Sequence, residues 1–143
     1  MTQTIANTSD YAARIEKVRA AMATQNVDAA LLSVGHDLPY LSGYFAMPLE
    51  RLTMLVIPQS GEVTMVVPRL EVARVTPQPG VFSITAWGET ENPVAIVAKL
   101  LGNAKSIAVG DQMWARFLVE LLPLVPGANF VRAVDVVGAL RMS

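Results

Sequence analysis

Six short apolar runs alternate with stretches of helical period, and few folds accommodate that order. The runs are residues 27–34 (VDAALLSV), 53–58 (TMLVIP), 63–68 (VTMVVP), 81–87 (VFSITAW), 106–109 (SIAV) and 129–132 (NFVR). Most are bounded by glycine or proline and all are short, so they read as strands. The second and third flank Gln59-Ser60-Gly61-Glu62, a hairpin signal with glycine in the turn. Tyr11, Ile15, Val18 and Met22 recur at helical spacing, which predicts a first helix from Ser9, capped by Ser9 or Asp10, to about Gln25. Asp37 is placed to cap a short helix that ends at Gly43, with Pro39 tolerated in its first turn. A further short helix is predicted over 69–76, and another over 93–101 with Asn92 as its cap and Pro93 at its first position. Gly110-Asp111 opens a helix carrying Met113, Phe117, Glu120 and Leu121, and residues 136–141 begin a last one. The pattern predicts an α/β fold in three layers: a mixed, mostly parallel sheet with helices on both faces.

Composition narrows the function. With no cysteine, a disulfide scaffold, a thiolate zinc site and a cysteine nucleophile are excluded. Eleven basic against twelve acidic residues leave a net charge of −1 and no basic stripe, so a nucleic-acid partner is not expected. No uncharged apolar run approaches the ~18 residues of a membrane span, and residues 1–10 lack the features of a secretory leader. A cytoplasmic location is expected. Only 16% of residues are charged, against about 25% in a typical domain. So sparse a charge predicts that another subunit or domain covers part of the surface, although a somewhat apolar monomer has the same composition.

The usual catalytic signatures are missing. Val34-Gly35-His36 and Val109-Gly110-Asp111 each offer one glycine where a dinucleotide fingerprint needs three. There is no phosphate loop, and Leu41-Ser42-Gly43 is not a nucleophile elbow. A single histidine, with no carboxylates at ligand spacing beside it, gives no metal site. His36 is the titratable group best placed to act, since it follows a strand's carboxyl end, where open α/β sheets contact ligands. On position alone the favoured reading is a plain loop histidine. Asp37 reads as a helix cap, Asp111 as a cap rather than a metal ligand, and Glu50-Arg51 as a solvated pair of little energetic weight. Tyr40, Tyr44 and Phe45 lie in a charge-free stretch, residues 38–49, that suits either an interface or the core.

The order of several landmarks resembles a known family. Arg14-Ile15-Glu16-Lys17-Val18-Arg19-Ala20-Ala21-Met22, then Val27-Asp28-Ala29-Ala30-Leu31-Leu32, looks like the opening of the creatinase/prolidase N-terminal domain. Tyr40-Leu41-Ser42-Gly43-Tyr44 is similar to that family's Tyr-Leu-(Thr/Ser)-Gly-(Phe/Tyr) signature. The stretches 50–58 (ERLTMLVIP), 68–71 (PRLE), 111–113 (DQM) and 136–141 (VVGALR) continue in register, so the resemblance covers about residues 11–141. No one piece is a strong motif; the ordered series is specific.

The resemblance implies a ribonuclease-H-like domain at 9–143 after a flexible lead at 1–8. It implies a following pita-bread catalytic domain, absent from this chain, that holds two divalent metal ions (Mn, Co or Zn) with Asp, Asp, His, Glu and Glu and hydrolyses the bond before proline. None of those ligands matches a residue here. The expected partners are that C-terminal domain, a second copy in a homodimer, and a proline-containing peptide. The loop at residues 35–45 would narrow the partner's active site. His36, Asp37, Tyr44 and Arg51 are the residues then expected nearest substrate. At position 37 the family often has Asn where this chain has Asp. On this reading the chain alone is not a catalyst. A stand-alone oligomerisation or binding module, or the N-terminal domain of a creatinase-like enzyme acting on a non-peptide, remain alternatives.

Overall fold

A computed structural model describes residues 7–46 and 51–137. Its strands are β1 (Ala29–Leu32), β2 (Met54–Pro58), β3 (Thr64–Pro68), β4 (Ser83–Trp87), β5 (Ser106–Val109) and β6 (Asn129–Arg132). They form one sheet in the order β4-β3-β2-β1-β5-β6. The pairs β1–β5, β3–β4 and β5–β6 are parallel; β1–β2 and β2–β3 are antiparallel. Five strands therefore share one direction and β2 alone runs against them. The tight turn at Gly61, φ +102°, returns β2 into β3.

The apolar runs are nearly continuous because the sheet is buried on both faces. Alternate residues of each strand enter different cores. Ala30 and Leu32 of β1, Leu55 and Ile57 of β2, and Met65 and Val67 of β3 face one layer. Ala29, Leu31, Met54, Val56 and Val66 face the other. The first layer holds α1 (Thr8–Gln25), through Tyr11, Ile15, Val18 and Met22, and α2 (Asp37–Ser42), through Leu38 and Leu41. The second holds α3 (Pro93–Leu101), through Val94, Val97 and Leu101, and α4 (Ala115–Leu121), through Phe117 and Leu121. This is the expected three-layer α/β architecture.

Local signals explain most boundaries. Asn92 accepts from the amides of Val94 and Ala95, with Pro93 at the first helical position. Helix α1 starts one residue earlier than expected, and its cap is neither Ser9 nor Asp10. Asn7 accepts from the Asp10 amide at 3.1 Å and Asp10 accepts from the Asn7 amide at 3.0 Å, a reciprocal capping box. The helix expected over 69–76 is a 3-10 segment, Arg69–Arg74, with no buried residue. Without an apolar face to bury, a full α-helix gains little there. The helix expected from Asp111 begins only at Ala115. Of the last expected helix, Val136 and Val137 form a turn after the 3-10 segment Ala133–Asp135; the remainder lies outside the described residues.

Candidate functional site

The carboxyl ends of β1, β3, β4, β5 and β6, and the start of β2, lie along one edge of the sheet. Chain order reverses about the β1–β5 pair: β2, β3 and β4 extend to one side, while the chain crosses back through α3 to place β5 and β6 on the other. Open α/β sheets bind ligands in the crevice outside such a switch point. A cleft of about 120 Å³ lies there, lined among others by Ser33, Gly35, His36, Asp37, Asp111 and Gln112.

The exit of β1 is fixed on both sides. The buried Ser33 hydroxyl donates to the Thr53 carbonyl at 2.6 Å, tying it to the approach to β2. The Gly110 amide donates to the Leu31 carbonyl at 3.0 Å, tying it to the exit of β5. Gly35 then turns at φ +134°, a conformation open to glycine and strained for other residues. His36 occupies the N-cap position of α2 with helical φ −80° and ψ −26°, and makes no side-chain capping bond. Asp37 is thus not the cap; it lies inside the first turn, where its charge suits the helix dipole. His36 is exposed and Asp37 half-buried. At the far end of α2, Gly43 has φ +79° and a side chain there would meet the Tyr11 hydroxyl at 2.7 Å.

The other two expected residues stand apart from this cleft. Tyr44 is buried in the α1–α2 core. Burial pushes its phenol pKa up, the Glu71 charge adds to the rise and Arg74 opposes it, so it stays neutral. Arg51 pairs with Glu89 at 3.3 Å; Glu50, its expected partner, lies outside the described residues. Arg51 lines a separate cavity of about 280 Å³ with Trp87, Asn92, Arg116, Phe117 and Glu120.

Asp111 is not a helix cap. Arg132, the last residue of β6, donates from Nε to Oδ1 at 2.9 Å and from Nη2 to Oδ2 at 2.6 Å. That forked contact holds the Asp111 carboxyl below its ordinary pKa. Ser33 and Arg132 carry no recognisable sequence signal, and Gln112 stands in the 111–113 landmark without a role attached; only the β5–β6 pairing brings Arg132 to Asp111. Asp28 is structural, accepting from the Lys105 and Ser106 amides at 2.8 and 3.0 Å.

A larger groove, about 330 Å³, opens at the opposite edge between α1 and the β2–β3 turn. It contains none of the expected site residues. Its Arg19 guanidinium is committed to the Pro58 carbonyl at 3.1 Å and to the Gly61 carbonyl, so it reads as a packing seam. Among the described residues no three His, Asp or Glu side chains gather as a metal site, and no helix is long and apolar enough to cross a membrane. The switch-point cleft, with His36 at its mouth, is the better candidate.

Known proteins agree with this architecture. The chain is 36% identical to probable dipeptidase PepE of Mycobacterium tuberculosis strain H37Rv over 138 residues, covering 92% of this chain and 36% of that protein. The crystal structure of dipeptidase PepE from Mycobacterium ulcerans superposes with a TM-score of 0.86 at 35% identity, over 97% of this chain and 38% of that one. The creatinase/prolidase N-terminal domain of an X-Pro dipeptidase from Streptococcus pyogenes shares the fold, with a TM-score of 0.77 at 23% identity, over 92% of this chain and 99% of that one. This chain therefore spans little more than a third of the length of the full dipeptidases it matches. The model of the creatinase/prolidase N-terminal domain matches residues 14–143, and the chain belongs to that family.

Proposed function

We propose that this chain is the non-catalytic N-terminal domain of a metal-dependent dipeptidase acting on Xaa-Pro peptides, and that it serves in dimerisation and in shaping the partner subunit's active-site pocket. The observation that carries the reading is the size and position of the His36 cleft. At about 120 Å³ it is well below the ~300–1,000 Å³ of a pocket that encloses a small molecule. It therefore supplies one wall of a composite pocket, with His36 presented on a short, fixed loop at the switch point. Phe45 and Leu70, 78% and 77% exposed on the described surface, are apolar groups that a second subunit or domain would cover.

In this reading divalent-metal chemistry belongs to residues outside the chain. The chain's own part is to narrow the pocket, offer His36 and Asp37 to the substrate, and exclude water. The parent enzyme would act in the cytoplasm. The test is hydrolysis of an Xaa-Pro dipeptide by the purified 143-residue chain with added Mn²⁺ or Co²⁺. No turnover is expected; turnover would move the chemistry into this chain and overturn the reading. The genomic reading frame after Ser143 gives a second test. A long open frame carrying two Asp, one His and two Glu supports the proposal, and a stop codon favours a stand-alone binding or oligomerisation module.

A further inference from the structure

The segment that follows β5 meets the His36 loop through the Gln112 side chain. The three heavy atoms nearest a Cβ built on Gly35 all belong to Gln112: Oε1 at 2.8 Å, Cβ at 3.5 Å and Cδ at 3.5 Å. Gln112 thus lies directly across the residue that precedes His36.

Gln112 is itself held in place. The Gly110 amide donates to Leu31 at 3.0 Å and the Met113 amide to Gly110 at 3.2 Å, closing the turn on either side of it. Both carboxylate oxygens of Asp111 are taken by the Arg132 fork, which fixes the plane of the residue immediately before Gln112. Strand registration does not need that ion pair, because β5 and β6 are already paired over Ser106–Val109 and Asn129–Arg132. Arg132 ends the ladder opposite Val109, and Asp111 lies two residues beyond it, where the chain leaves the sheet. On the other side, the loop is closed by α2, whose Leu38 and Leu41 are fully buried. Between these anchors Gln112 walls the backbone at Gly35.

We infer that Gln112, set by the Asp111–Arg132 fork, is a positioning residue that fixes the direction in which His36 is presented at the cleft. The functional weight of this inference rests on the reading of the cleft as one wall of a substrate pocket; its structural content does not. Gln112 Oε1 fills the space that a side chain at Gly35 would take, so side-chain length matters more than the amide.

His36 is the chain's single histidine, so its imidazole signals are unambiguous in an NMR spectrum. In the 143-residue chain, Gln112→Ala is expected to shift the His36 ring signals and to raise backbone mobility and amide exchange at Gly35 and His36 several-fold. Arg132→Ala is expected to do the same. Gln112→Met, which keeps the length, should restore the wild-type signals, and the exchanged pair Asp111→Arg/Arg132→Asp should restore them in part. Thermal unfolding and exchange in β1 and β2 report whether each variant is folded. Gln112 and Arg132 are surface residues, and a purely structural loss would move those readouts rather than the His36 signals. Unchanged Gly35 and His36 signals in either folded alanine variant overturn the inference. These spectra report no turnover, so a failed peptidase reading would appear in the dipeptide assay and leave them as they are.

Discussion

The Arg14 guanidinium lies 4.1 Å from the centre of the Tyr40 ring and donates a 2.9 Å hydrogen bond to the Tyr40 carbonyl. One α1 side chain thereby grips both the ring and the backbone of a single α2 residue. Tyr11, 5.6 Å away, completes an aromatic cradle. Cation–π attraction and a charge-assisted bond at a half-buried site together place the cost of Arg14→Ala at about 1–2 kcal/mol. Urea unfolding should show the midpoint fall with an unchanged slope. Arg14→Lys should recover only part, because an ammonium lacks the planar fork.

At the other end of α2, Gly43→Ala should destabilise by about 1–3 kcal/mol, the usual cost of holding a non-glycine residue in the left-handed region. The Tyr11 hydroxyl at 2.7 Å adds a clash to that backbone cost. Tyr11→Phe on the Gly43→Ala background should recover the hydroxyl's part of the clash, leaving the ring Cζ at 3.0 Å and the backbone strain. Melting temperatures of the two single variants and the double variant separate the terms.

Asp28 fastens the start of β5 through two backbone amides. Asp28→Ala should cost about 1–2 kcal/mol, as expected for charge-assisted bonds at a half-buried site. The loss should be local first: hydrogen exchange at Lys105 and Ser106 should accelerate before exchange in the centre of the sheet.

Some of this was legible in the chain and some was not, for a physical reason. Asn92-Pro93, Gly43, Gly61 and the doubly apolar runs act through neighbours within a few residues, so their elements follow from local pattern. Asp111 carried a locally sensible reading as a helix cap, yet its partner lies 21 residues away and arrives only when β6 docks on β5. Asn7 was passed over because Ser9 and Asp10 offer the same capping chemistry two and three residues later; the reciprocal bond to Asp10 decides between them. At the candidate site, strand-end position points to His36, whereas Arg132 reaches Asp111 through strand pairing and Gln112 stands in a sequence landmark that gives it no role. Arg51 followed from family resemblance, and the structure sets it in a different cavity.

Acid should loosen the Asp111–Arg132 fork. Asp111 has a lowered pKa in the folded chain, so its contribution is present above the ordinary carboxylate value and is lost as pH falls through the depressed one. The fork should be intact at and above the ordinary carboxylate pKa and should release only as pH falls below it. Arg132→Gln should move the midpoint of this titration up toward the ordinary carboxylate value, read from the NMR shifts of the Gly110–Gln112 amides against pH in the two chains.

If the parent protein is the proposed Xaa-Pro dipeptidase, His36→Ala in it should raise KM or lower kcat for an Xaa-Pro dipeptide while leaving the melting temperature within about 1 °C, since the imidazole is exposed and makes no capping bond. Unchanged kinetics would return His36 to an ordinary loop role.

Only residues 33 to 36 separate β1 from α2, and both flanking elements are sunk in the core. Such a tether has no slack with which to reach outward or fold back. Whatever docks against His36 must bring its own contour to a stationary post, so variation in what is accepted has to be written into the visiting surface rather than into this one.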